Sequence, residues 1–310
     1  MFEIPEKTKR NPLSASRRII RLEEAVPRQA ILYLNHVVNK SLWRGYKRLE
    51  GECSGLADVY YVLNLNSDNV PLDAEDTFPI TPALRATLGH PSRAGNVGWW
   101  MDTAPSYTGI IQSGVDQGIL AFRQSKPEYD YYWIVENDVE FSGRWSELFR
   151  AFSDNTSDLL CTSMHRPETN PTWDWWKSLV WMEEKKPELV RCMFPFARFS
   201  ARAMDALIAA GRNGTDGYYE VMWPTVLLDR GLAIEDIGGD GPFVRPGNVN
   251  RWYTNTLTSQ NLSPGTFVAR PIRFGRGWRR KTLWHPVKRP FIGYVLSRLR
   301  ARIASKKRTE

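Results

Sequence analysis

The chain alternates short apolar runs with stretches of helical spacing. Residues 30–34 (Ala-Ile-Leu-Tyr-Leu) are apolar, and a helical pattern follows Asn35 and His36 through Leu49. A second run, 58–63, ends in the polar stretch 64–69. Strand, helix, strand at this spacing predicts a βαβ unit. Residues 106–124 space Ile110, Ile111, Val115, Ile119, Leu120 and Phe122 as a helix does, and 129–141 begins as an aromatic and β-branched strand. A helix over 144–153 and a strand over 158–162 follow. Residues 190–199 read as a strand, and Ser200 as the cap of a helix over 201–210 that Gly211 stops. Residues 218–230 give a second helix, stopped by Gly231, in which Pro224 fits only near the start or with a kink. A strand over 234–237 closes the series. Residues 73–97 read as loop with short pieces of helix, and 164–188 as an aromatic loop with no clean period. This order predicts a single α/β domain over 29–288, a mainly parallel sheet flanked by helices.

The strand at 129–141 changes character halfway. Glu136, Asp138 and Glu140 fall at every second position, on one side if the chain stays extended. Three anions packed together are costly unless a cation neutralises them. Oxygen ligands of this kind suit Mg²⁺ or Mn²⁺. Open α/β sheets bind ligands beyond the carboxyl ends of their strands, so His36 and the loop beginning at Asn64 are candidates for a nucleotide pocket. The plain alternative for each is a polar residue capping a loop.

Glu136-Asn137-Asp138 at the end of a buried strand resembles the Asp-X-Asp motif of GT-A glycosyltransferases. The longer string from Tyr132 to Trp145 is similar to a group of GT-A-like proteins. The resemblance implies a metal-dependent transfer of a sugar from a nucleotide-diphosphate donor to a hydroxyl of a glycan or lipid-linked acceptor. It implies Glu136 and Asp138 as metal ligands, although Glu136 replaces the usual Asp. Thr282-Leu283-Trp284-His285-Pro286-Val287-Lys288 is similar to the late His motif of the family, which implies His285 as a further ligand and Lys288 near the diphosphate. Asp102 corresponds to a donor-contacting position. Glu220, where the second late helix opens, corresponds to the base that deprotonates the acceptor in inverting members, with Asp216 as the alternative. As plain chemistry, Glu220 equally complements a helix N-terminus.

Charge refines the picture. Residues 270–310 carry 14 Lys or Arg and one Glu, a balance of +13, while the remaining 269 residues hold 28 basic and 33 acidic ones, a balance of −5. A basic tail on a mildly acidic body fits an anionic membrane surface better than a nucleic-acid cleft. Within the tail, 289–310, Phe291, Ile292, Val295, Leu299 and Ile303 have helical spacing. Residues 1–28 read as a flexible lead-in with a short helix around 17–25 and no signal-peptide core. Cys53, Cys161 and Cys192 show no ligand spacing and no close pair, and read as buried thiols of a reducing compartment. The expected location is cytoplasmic, peripheral at the inner face of the membrane. Two rival functions remain: a metal-dependent phosphoester hydrolase, for which four histidines are few, and a non-catalytic carbohydrate- or membrane-binding module. Thirteen Trp suit a groove with aromatic walls as well as a core.

Overall fold

Apolar runs without alternation suit strands covered on both faces, and the computed structural model, which describes residues 26–91, 114–255, 265–267 and 279–287, bears this out. The elements are β1 (Gln29–Asn35), α1 (Lys40–Cys53), β2 (Asp58–Asn64), β3 (Phe78–Ile80), α2 (Pro82–Ala86) and α3 (Val115–Ser125). Then come β4 (Tyr131–Glu136), β5 (Glu140–Phe141), α4 (Trp145–Arg150), β6 (Leu159–His165) and β7 (Arg191–Ser200). The series ends with α5 (Ala201–Arg212), α6 (Tyr219–Asp229), β8 (Ile234–Asp236) and β9 (Leu283–Trp284).

Seven strands form one sheet in the order β3-β2-β1-β4-β7-β6-β8. Six run the same way and β7 runs against them. Successive residues of β1 and β4 enter opposite cores, as the pleat requires. Ala30, Leu32, Leu34, Tyr132 and Ile134 pack with α3, α5 and α6 through Phe122, Leu207 and Trp223. Ile31, Tyr33, Trp133 and Val135 pack with α1 and α4 through Leu49, Leu148 and Phe149. The chain is therefore a single mixed α/β domain, its mostly parallel sheet flanked by helices.

Local chemistry explains the helix ends. Asn39 caps α1 by accepting the amides of Ser41 and Leu42, and Ser200 caps α5 by accepting that of Ala203. The expected stop at Gly211 is corrected. α5 runs through it to Arg212, because the left-handed residue that ends a helix is Gly214, with φ +89°. Gly211 instead packs against the His90 ring, which a Cβ there would displace.

Other differences have equally local causes. Residues 73–97 contain β3, whose Pro79 is tolerated because β3 is an edge strand. The strand expected over 158–162 continues to His165, inside the stretch read as aromatic loop. The cysteines are buried, as expected, with Cys161 and Cys192 on the neighbouring strands β6 and β7. Asp102, Lys288, the lead-in helix and the tail 289–310 lie outside the described residues, as do positions 106–113 of the helix expected before the acidic strand.

Candidate functional site

β4 delivers Glu136 to the carboxyl edge of the sheet, beside the end of β1, where Leu34 is its register partner. The chain then leaves extended geometry. A turn closed by the Val139 amide on the Glu136 carbonyl at 2.9 Å carries Asn137 and Asp138. This corrects the period-two expectation: Glu140, beyond the turn, is buried in β5 rather than joined to the other two acids in one ligand group.

β5 pairs antiparallel with β9, which brings a distant part of the chain to the turn. The Val287 amide donates to the Asp138 carbonyl at 2.7 Å, and the His285 amide to that of Thr266 at 2.9 Å. The His285 ring packs on Phe267, with centroids 5.1 Å apart. So held, His285 Nε2 lies 3.7 Å from Asp138 Oδ1 and 3.9 Å from Glu136 Oε2. One ligand atom from each of the three residues falls within 4.8 Å of the others. Atoms bound to one Mg²⁺ or Mn²⁺ at about 2.1 Å stand at most about 4.2 Å apart, so each His285 spacing lies below that limit, and the three side chains would draw together around an ion. Two carboxylates and an imidazole are also a reasonable donor set for Mn²⁺.

A second candidate group is built by α6. The segment 178–180 anchors the turn before it: Val180 and Asp216 exchange backbone bonds at 2.8 and 3.1 Å, and Ser178 Oγ accepts the Tyr218 amide. Gly217 has φ +139° and a Cβ there would lie 2.7 Å from the Ser178 carbonyl, so only glycine closes this contact without strain. The turn sets Glu220 in the first helical turn of α6, buried. Burial pushes its carboxyl up to about 7, against the pull of the Arg191 charge and of a hydrogen bond from Tyr218. Tyr219, between them in sequence, is held far above the usual tyrosine range by burial and by the charges of Glu136, Glu220 and Asp116, among others. Pro224 sits mid-helix and removes the N–H that would bond the Glu220 carbonyl.

The other expected residues divide. Asp216 is half-buried and turns its carboxylate back to the Gly217 amide at 2.8 Å, beside a cleft that His90 and Asp116 also line. Asn64 stands at the carboxyl end of β2 as expected, but its Oδ1 accepts from Arg85 Nη1 at 3.0 Å. His36 is exposed just past β1.

Several residues escaped sequence reasoning. Arg191 opens β7 opposite His165, the last residue of β6, and both are buried. A charged residue at the head of an apolar run ordinarily marks a solvated strand end, so no pattern flags it. Trp173, Trp175 and Trp176, read only as aromatic loop, form a cluster with Tyr218, with Trp175 and Tyr218 4.8 Å apart.

Fold and site define an α/β protein with a candidate divalent-cation centre at the carboxyl edge of its sheet. No family model matches this chain, and no curated protein does. Among solved structures it is similar to the crystal structure of A197 from STIV, over 57% of this chain and 67% of that one, at 8% identity and a TM-score of 0.25. A likeness so slight carries no argument about fold or function.

Proposed function

We propose that this protein is a metal-dependent glycosyltransferase of the GT-A type, acting on a nucleotide-diphosphate sugar and a hydroxyl of a glycan or lipid-linked acceptor. The observation that carries the reading is the meeting of Glu136, Asp138 and His285 from two distant parts of the chain. A divalent ion bound there would neutralise the charge of the leaving diphosphate. Glu136 and Asp138 supply the anionic ligands and His285 a neutral one.

Glu220 is the proposed base. A sugar hydroxyl is a poor nucleophile at neutral pH, and a carboxylate with a proton affinity near the working pH is well suited to take its proton. The Tyr218 hydroxyl orients that carboxylate, and the Trp173–Tyr218 aromatic cluster offers faces on which a sugar ring stacks. A base on the acceptor implies inversion at the transferred carbon.

A thermal-shift screen of nucleoside diphosphates and nucleotide sugars, with and without Mn²⁺, tests the reading. Stabilisation by a nucleoside diphosphate only when Mn²⁺ is present supports it. Hydrolysis of simple phosphoesters without nucleotide binding favours the hydrolase, and binding of neither metal nor nucleotide favours a non-catalytic module.

A further inference from the structure

Two arginines of β7 are buried, and they are treated differently. Arg198 donates to the carbonyls of Phe152, Asn155 and Ser157 at 3.0, 2.6 and 3.2 Å and to Asn155 Oδ1 at 3.1 Å. Those acceptors offset much of the cost of taking a guanidinium out of water. Arg191, at 7% exposure, has no comparable shell among the described residues. Its Nη2 makes one long bond, 3.5 Å, to Ser163 Oγ, and its Nε, like that of Arg198, is buried with no hydrogen-bond partner among the described residues. Trp173 lies against the guanidinium, 4.7 Å from ring centroid to Cζ. Glu220 acts on it through space rather than through a hydrogen bond.

The neighbours complete a donor-rich corner. Asn255 Nδ2 donates to Ser163 Oγ at 2.7 Å and to His165 Nε2 at 3.1 Å. Ser163 Oγ therefore accepts from both Asn255 and Arg191, which leaves its own proton as a further donor. His165 is kept neutral, its pKa depressed to about 4 by burial and by the Arg191 charge. A buried cation, a hydroxyl with a proton to give and an aromatic shelf, with the charge of Arg191 incompletely answered, form a receptor for an anion attached to a ring.

We propose that Arg191, with Ser163 and the Trp173 shelf, binds an oxyanion, a carboxylate or a phosphoryl group, carried by the acceptor. Placing this anion on the acceptor rests on the glycosyltransferase reading; the anion site itself does not. Such a site would make the protein select charged acceptors over neutral ones.

The test uses the full chain, freed of metal so that a diphosphate site does not contribute. Glucuronate, glucose 6-phosphate and glucose are titrated at constant ionic strength by calorimetry, with tryptophan fluorescence in parallel. At least one anionic sugar should bind at least about tenfold more tightly than glucose, as a charge-assisted contact predicts. A stronger glucuronate response assigns a sugar acid, and a stronger phosphate response a phosphorylated acceptor. Arg191→Gln should abolish the preference, and Arg191→Lys, which keeps the charge and loses the fork, should retain part of it. Should Arg191→Gln fail to fold, Asn255→Asp sets an anion against the site from a half-buried position and should abolish the preference in a folded protein. Equal binding of all three sugars, or an unchanged preference in these variants, overturns the proposal. Binding of Mn²⁺ and nucleoside diphosphate by the parent, titrated separately, keeps the two readings apart. Its absence would sink the glycosyltransferase and leave the anion site standing.

Discussion

Glu220 concentrates the chemistry at the scale of a single residue. Its carboxyl is lifted from an ordinary 4.5 to about 7, chiefly by burial. A base must be ionised to accept a proton, so the transfer rate should rise as pH passes through about 7. Glu220→Gln should leave donor binding intact and lower transfer by roughly 10²- to 10⁴-fold; an active Gln variant would shift the role to Asp216 or to a mechanism without such a base. The same shift has a sign in stability. The folded protein holds this proton more tightly than the unfolded chain, so the stabilisation is complete below pH 4.5 and is lost as pH rises through 7. Urea titrations across that window should show Glu220→Gln losing less stability than the parent, by at most about 3 kcal/mol. Identical slopes would mean that Glu220 does not titrate where its burial requires. Asp236, also raised to about 7 by burial, keeps some slope in both proteins. None of this was legible in the sequence, where Glu220 was marked by its place at the opening of a helix and by a family likeness. Its shift comes from burial, with Arg191 pulling the other way, and neither has a local pattern.

At the scale of elements, the site depends on two short connections. Sequence periodicity located β1, β2, β4, β7 and α1 within a few residues, because long apolar or amphipathic stretches carry their own signal. It missed β3 and the β5–β9 pair, which are two or three residues long and exist only because a partner strand lies alongside. Glu140 was misplaced for the same reason: alternation assumes an extended chain, and the turn at Asn137–Asp138 breaks it. The other connection is the Gly217 turn. Gly217→Ala would force a left-handed backbone and a Cβ into the Ser178 carbonyl at 2.7 Å. A loss of about 1–3 kcal/mol is expected in denaturant titrations, with reduced transfer as the start of α6 shifts. A variant as stable as the parent would show that the turn has room to spare.

At the scale of the whole molecule, the charge is divided between an acidic body and a basic end. No described helix is long and apolar enough to cross a membrane. Binding to anionic vesicles should therefore depend on salt and be largely lost when residues 291–310 are removed; equal binding by the truncated chain would refute a membrane role for the tail. The acidic turn after β4 and the His after β9 were each visible in the sequence, but their meeting was not, since it depends on β5 pairing with β9 and on the Val287 bond to Asp138. That meeting is the central claim. The direct measurement is a calorimetric titration with Mn²⁺ and nucleoside diphosphate of the parent, Asp138→Ala, His285→Ala and the double variant. If the two residues hold one ion, Asp138→Ala should remove most of the Mn²⁺-dependent nucleotide binding and His285→Ala less of it. The double variant should then be little worse than Asp138→Ala alone, because groups acting as a unit do not add. A His285→Ala protein that binds both ligands like the parent would contradict the shared centre.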